Sequence, residues 1–293
     1  MTNTSKTLTF FGSGPVATAT LEALDRAGFK IALIITKPRA STHRGGVPVL
    51  EWAAQHKIPV LTPKDSGELT DLLVNTPLQS NVGLVVDYGI IMKKAVIDLF
   101  PLGIINSHFS LLPEWRGPDP ITFSVLSGQR ETGVSLMLIK ERLDEGKLLI
   151  QEKFVLRPNI TTPELTDELV AMSNRMLKKY IPQYIEGKVE PYNQSDKNVS
   201  YSRKLTKQDS IVDLAKSAET IEREVRAFAG WPRSRLKLNG RTILITKSRV
   251  VNKLDQNSLS VKCGDNTYLE ITELIAPSGK KMNGAEYLRG YAA

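Results

Sequence analysis

Leu8-Thr-Phe-Phe-Gly-Ser-Gly-Pro-Val-Ala17 starts as a short apolar run and breaks at two glycines and a proline. Residues with helical spacing follow over Val16–Ala27, and a second β-branched run occupies Lys30–Thr36. Strand, tight turn, helix and strand form the unit of parallel sheets, because a parallel return needs a crossover. Outward from this unit the rhythm continues, with strand-like runs at Val82–Val86, Gly103–His108 and Val134–Ile139. Helix-like stretches lie at Val49–His56, Gly67–Val74 and Pro118–Leu126. The alternation predicts an α/β domain whose parallel sheet is covered on both faces.

A longer helix is predicted where Leu165, Leu169, Met172, Met176, Tyr180 and Tyr184 recur every three or four residues, a stripe suited to packing on the sheet. Pro182, Gly187 and the polar stretch Asn193–Ser200 then mark a linker. Beyond it, one helix at Ala218–Ala229 precedes short β-type runs at Arg235–Leu238, Thr242–Thr246, Leu259–Val261 and Tyr268–Leu274, divided by Asn239-Gly240 and Gly264-Asp265. That spacing predicts a small β-barrel. The expected organisation is a domain over residues 1–187, a linker over 188–203 and a second domain over 204–293.

The 293 residues are 41% hydrophobic and 24% charged, which excludes fibrous and wholly disordered chains. Apolar runs such as Ile31–Ile35 are far shorter than the ~18 residues of a membrane span. Lys6, Leu8–Phe11 and Ala17-Thr18-Ala19 imitate a signal peptide, but Gly12, Gly14 and Pro15 interrupt it and Glu22 and Asp25 follow, so a cytoplasmic protein is expected. The single cysteine, Cys263, allows no internal disulfide, and the three histidines, His43, His56 and His108, form no zinc-ligand pattern, so no metal is expected.

Net charge is +8, and residues 201–293 hold 17 Lys/Arg against 10 Asp/Glu, leaving 22 against 21 in the first 200. Trp231–Val250 carries Arg233, Arg235, Lys237, Arg241, Lys247 and Arg249 without an acid. Such a block suits a polyanion such as nucleic acid, and it is equally the composition of a solvated strand face.

Gly12-Ser-Gly14-Pro-Val-Ala17 is similar to a dinucleotide-binding turn, yet the second strand ends in Thr36, Lys37, Pro38 and Arg39 instead of the acid an NAD enzyme requires. Lys37 and Arg39 would suit a 2′-phosphate; glycines serving only a tight turn are the simpler reading. Gly103-Ile-Ile-Asn-Ser-His-Phe-Ser-Leu-Leu-Pro113 is more informative. Alternation directs Asn106 and His108 to one side, at the strand end where open α/β sheets place ligands. Asp144, in Arg-Leu-Asp-Glu-Gly146, either makes a tight turn or, if its strand neighbours that of His108, supports the imidazole. The three suit acyl transfer to an amine: Asn106 as donor to a tetrahedral oxyanion, His108 for proton transfer, Asp144 to tune it. No Ser, Cys or Lys is placed as a covalent nucleophile, so direct attack by the amine is the simpler scheme.

Asn106-x-His108 with Ser110-Leu-Leu-Pro113 and Leu143-Asp-x-Gly146 resembles the signature of the formyltransferases that use 10-formyltetrahydrofolate. Trp115-Arg-Gly117, Tyr88-Gly89 within Val85–Met92, Tyr201-x-x-Lys204-Leu-x-Lys207 and Arg226-Ala-Phe-x-x-Trp231-Pro232 resemble the branch acting on methionyl initiator tRNA. The resemblance implies a Rossmann-like, mostly parallel catalytic domain and a smaller basic OB-like β-barrel that contacts the tRNA. Tyr88, Gly89, Ile90, Ile91 and Met92, with Ser110, Leu111, Leu112 and Pro113, would hold the folate donor. Arg39, Arg44, Lys204, Lys207, Arg233, Arg235 and Lys237 would contact the tRNA of a monomeric enzyme. A nucleotide-sugar amine formyltransferase and a non-catalytic RNA-binding protein on the same scaffold are the alternatives. The first turn reads Gly12-Ser-Gly-Pro-Val16 where the family usually has Gly-Thr-Pro-x-Phe.

Overall fold

A computed structural model describes residues 6–39, 46–255 and 257–291. The chain divides into two compact units, one comprising residues up to Pro118 with Thr132–Phe154 and Glu168–Tyr201, the other Asp119–Glu131, Val155–Asp167 and the chain from Ser202.

The first unit is built on a seven-stranded sheet. Its strands are β1 (Thr7–Gly12), β2 (Lys30–Ile35), β3 (Val60–Leu61), β4 (Gly83–Val86), β5 (Ile104–His108), β6 (Glu131–Leu138) and β7 (Leu148–Val155), in the order β3-β2-β1-β4-β5-β6-β7. The helices over the same length of chain are α1 (Gly14–Arg26), α2 (Pro48–His56), α3 (Ser66–Val74), α4 (Lys94–Ile97), α5 (Pro120–Ser127) and α6 (Thr162–Ile185). Strands β1 to β5 pair in parallel, as the rhythm predicts. Leu8, Phe10, Phe11, Ile34, Ile35, Leu84, Ile104 and Ile105 are almost fully buried, the pattern of strands covered on both faces. Each such side chain contributes roughly 1.5–3 kcal/mol through removal from water.

The parallel pattern stops at β5. β6 runs antiparallel to β5, and Leu138 N–H donates to the Lys147 carbonyl at the end of β7, so β6 and β7 form a hairpin at the sheet edge. Helix starts follow local chemistry: Pro48 and Pro120 occupy first turns, and the Asp65 carboxylate accepts the Gly67 and Glu68 N–H groups of α3 at 2.8 and 3.0 Å. In α6 the apolar stripe is buried at Leu165, Leu169, Met172 and Met176 and half-buried at Tyr180 and Tyr184. Ser173 on the same helix exchanges a 2.7 Å hydrogen bond with Ser107. This bond fixes which face of β5 the helix covers, and Asn106 and His108 alternate to the other.

The second unit carries α5, helix α7 (Ala218–Ala227), helix α8 (Gly284–Tyr291) and strands β8 (Ser234–Leu238), β9 (Arg241–Val251), β10 (Ser260–Lys262), β11 (Tyr268–Ile275) and β12 (Lys281–Asn283). Their five-stranded antiparallel sheet has the order β10-β11-β9-β8, with β12 also pairing with β11. Asn239 and Gly240 take positive φ, 47° and 78°, which gives the β8–β9 hairpin a turn matching strand twist. Register shifts near Glu273 curl the sheet over a core of Ile221, Val225, Leu236, Ile243, Leu269, Ile271, Leu274 and Tyr287. The barrel expected from the spacing is an open, OB-like half-barrel, because β8 and β10 are edges that do not pair with each other.

Candidate active site

The carboxyl ends of adjacent strands β4 and β5 meet at Val85↔Asn106, and each leads straight into one of the two segments expected to hold the donor. Asn106 is half-exposed; the His108 residue is 5% exposed. His108 Nε2 lies 3.0 Å from the Trp115 carbonyl, which can only accept, so Nε2 carries the hydrogen. Nδ1 faces Asp144 Oδ2 at 3.8 Å, beyond direct hydrogen-bond length. That oxygen accepts the Gly117 N–H at 2.7 Å.

The strand register alone would not bring Asp144 here. Leu138 stands opposite Ile105, near the far end of β5 from His108, and the chain has to turn back over residues 139–147. Asp144 and Trp115 both take left-handed backbone, φ 53° and 55°, conformations that persist where surrounding bonds impose them. Trp115 N–H donates to Ser200 Oγ at 2.9 Å and Arg116 N–H to the Ser200 carbonyl at 2.9 Å. The Gln194 amide donates to the Asp144 and Gly146 carbonyls at 2.6 and 2.9 Å and accepts from Arg116 Nη2 at 2.8 Å. Gly146 is sterically required, since a Cβ there would lie 1.6 Å from the Leu138 carbonyl oxygen.

In the two donor segments the side chains divide. Tyr88 and Ile90 are half-buried, Gly89 and Ile91 exposed, and Met92 packs in the core. The Tyr88 ring meets Phe11 edge-on at 5.8 Å, and its buried hydroxyl has no hydrogen-bond partner among the described residues. Burial pushes the pKa of this phenol far up, so the group is a neutral donor. Ser110 donates to the Glu114 carbonyl at 2.5 Å; Leu112 is buried against Met137 and Leu148, Pro113 is buried, and Leu111 is half-buried. Ser135 Oγ holds this turn by accepting the Leu112 N–H at 3.0 Å and donating to the Ser110 carbonyl at 2.6 Å, while Gln151 donates to the Leu112 carbonyl at 2.8 Å. Most main-chain groups of the segment are thus bonded within the protein, with Glu114 N–H on the Leu111 carbonyl and Ser200 N–H on that of Pro113, which fixes the shape of the turn.

Gly12 has a steric role as well: a Cβ there would come within 2.6–2.7 Å of the Phe10 ring, Ala17 and the Val86 carbonyl. Lys37 Nζ lies against Gly89, 2.5 Å from where its Cβ would be. Arg39 is exposed, and Arg44 lies outside the described residues.

In the second unit, Arg233, Arg235 and Lys237 are exposed; Arg235 and Lys237 alternate with buried Ser234 and Leu236 and so share one face of β8, whereas Arg233 precedes the strand with a φ of 66°. They form no ion pair among the described residues. Lys204 and Lys207 are exposed as well. The +6 block is partly neutralised, because Arg249 makes a bidentate pair with Glu270 at 2.9 and 3.0 Å.

Sequence reading missed the Trp115 carbonyl, the Gly117 N–H, Ser135, Gln151, Gln194 and Ser200. Backbone groups have no residue signature, and Gln194 and Ser200 sit in a polar stretch whose composition reads only as linker.

Residues 6–181 match the family model described as formyl transferase, and residues 204–292 match the formyl transferase C-terminal domain. The chain belongs to the formyl transferase family. A methionyl-tRNA formyltransferase of Herminiimonas arsenicoxydans is 31% identical, covering 97% of this chain and 96% of that protein. One from Chloroflexus aurantiacus is 33% identical with the same coverage. Among solved structures, the N-formyltransferase of Helicobacter canadensis in complex with folinic acid and dTDP-3-aminofucose superposes with TM-score 0.71 at 20% identity, over 91% of this chain and 98% of that one. This formyl transferase thus shares its fold with enzymes too distant in sequence to define its acceptor. No helix of the described residues is long and apolar enough to cross a membrane.

Proposed function

We propose that this formyl transferase carries the formyl group of 10-formyltetrahydrofolate to the α-amino group of methionyl initiator tRNA in the cytoplasm. The observation that carries the reading is similarity over 97% of the chain, at 31–33% identity, to methionyl-tRNA formyltransferases, whereas the sugar-modifying neighbour is similar at 20%.

The donor supplies an activated formyl group on nitrogen. Its segments fit a ring system: Tyr88 has a buried hydroxyl without a partner, and Ile91 and Leu143 present apolar side chains that are 72% and 60% exposed. Residues 88–92 and 110–113 would hold it. The neutral α-amine attacks the formyl carbon, a C–N bond forms, and the bond from that carbon to the donor nitrogen breaks. The Asn106 amide donates to the oxyanion of the tetrahedral intermediate, an interaction of ~10²–10³ in rate at comparable sites. His108 assists the transfer of the amine proton towards the departing nitrogen, contributing ~10²–10⁴, and the negative Asp144 stabilises positive charge developing on the ring. Trp115 and Gly117 supply the backbone groups that orient these two side chains. Lys204, Lys207, Arg233 and the β8 pair Arg235 and Lys237 contact the phosphates of the tRNA, as do Arg39 and Arg44.

Incubation of the full chain with methionyl initiator tRNA and the folate donor should yield formyl-methionyl-tRNA. Transfer to a dTDP-amino sugar and none to the tRNA would reverse the acceptor assignment; donor-independent RNA binding without product would favour a non-catalytic protein.

A further inference from the structure

We propose that Gln194 is a positioning residue for formyl transfer, holding residues 144–146 folded back onto His108. The inference rests on the reading of His108 and Asp144 as the site of transfer, and it concerns a residue in what the sequence presents as linker. Past Leu138 the β6 chain leaves along the sheet edge in the direction away from His108. Its return depends on a set of bonds centred on one side chain. Both hydrogens of the Gln194 amide are used, on the Asp144 carbonyl at 2.6 Å and the Gly146 carbonyl at 2.9 Å. The amide oxygen takes two bonds from Arg116, Nη2 at 2.8 Å and Nε at 3.3 Å. Arg116 Nη1 in turn reaches the Glu145 carboxylate at 3.3 Å. Residues 144, 145 and 146 are therefore all tied to the Gln194–Arg116 pair, two by main chain and one by side chain.

The chemistry asks for this residue type. Only a side chain that donates twice and accepts at the same end can join two carbonyls to a guanidinium, and asparagine is one methylene shorter. Gln194 and Ser200 are half-buried where residues 192, 193 and 195–199 are exposed, so the stretch turns inward at these two positions. Ser200 holds the Trp115 N–H, and the Trp115 carbonyl holds His108 Nε2. Both neighbours of the imidazole are thereby fixed from residues 194–200, one on each ring nitrogen.

The test uses full-length Gln194→Glu and Ser200→Ala proteins beside the unchanged chain. A glutamate still accepts from Arg116, which preserves folding, but turns a carboxylate towards two carbonyls. Steady-state formylation should show kcat lower by about 10–100-fold, with KM for donor and tRNA little changed, as for partners that orient a reacting group. Amide exchange read by NMR should show Gly117 N–H, bonded to Asp144, exchanging faster in Gln194→Glu while amides of β1 and β4 keep their protection. Ser200→Ala should lower kcat in the same manner without loosening Gly117. A Gln194→Glu protein with unaltered kcat and unaltered Gly117 exchange overturns the proposal. Faster Gly117 exchange in a chain whose unchanged form accepts neither tRNA nor amino sugar would uphold the positioning role and discard the catalytic reading instead.

Discussion

Asp144 Oδ2 stands 3.8 Å from His108 Nδ1 and, through the same oxygen, accepts the Gly117 N–H at 2.7 Å. The carboxylate is thus held by main chain and faces the ring without a direct hydrogen bond to it. The two roles are separable. Asparagine tolerates the φ of 53° at this position and retains an acceptor for Gly117, but carries no charge. Asp144→Asn should lower kcat roughly 10²-fold while the melting temperature stays near that of the unchanged protein. Calorimetry beside a formylation assay checks both, and a large loss of stability would mean that the carboxylate is chiefly structural.

Removing the imidazole separates chemistry from binding. His108→Ala should abolish ~10²–10⁴ of the rate, and Asn106→Ala ~10²–10³, with tRNA affinity preserved in both. Filter binding alongside single-turnover formylation is the measurement. Weaker RNA binding by either variant would place the RNA on these residues directly.

The exposed cations at and just before β8 make a prediction about salt. If Arg233, Arg235 and Lys237 neutralise phosphates, replacing all three by Gln weakens tRNA binding regardless of its sequence. The slope of log affinity against log salt then becomes shallower by roughly 0.7–0.9 for each phosphate left without its cation. An unchanged slope would leave them as ordinary solvated side chains.

Gly146→Ala tests the crowding of the returning loop. Its Cβ would sit 1.6 Å from the Leu138 oxygen, which is backbone and cannot swing away. The substitution should cost about 3 kcal/mol through overpacking and lower kcat by displacing Asp144. Urea unfolding and kinetics report the two effects.

In the second unit, the Arg203 guanidinium holds the Asp209 carboxyl well below the usual carboxylate range, and Asp209 also accepts the Thr206 N–H at 2.7 Å. A depressed folded-state value means that the stabilisation is complete above the unfolded value near 4 and is lost as pH falls through the lower folded one. The guanidinium is exposed, so solvent screens part of the attraction. Asp209→Asn should cost roughly 1–2 kcal/mol at neutral pH, and its stability difference from the unchanged protein should shrink below about pH 4. Equal differences at pH 7 and pH 3 would exclude the ion pair as the cause.

Much of this protein is local and therefore legible. Strands β1, β2, β4 and β5 are buried on both faces and read as apolar runs, and the stripe on α6 declares its period through Leu165, Leu169, Met172 and Met176. Asn106 and His108 share a side because a strand alternates, whatever surrounds it. β7, reading Leu-Leu-Ile-Gln-Glu-Lys-Phe-Val, is half-exposed at the sheet edge, and β3 and α4 are too short to show any period, so none of the three left a clear trace. The antiparallel turn at β6 and the meeting of Asp144 with His108 belong to the tertiary structure alone. The first is the β5–β6 ladder, from Ile105↔Leu138 to His108↔Ser135, and the second depends on hydrogen bonds from Gln194 and Ser200 to residues 115–146; pairings between residues this far apart are set by the packing of the whole unit instead of by any neighbouring sequence.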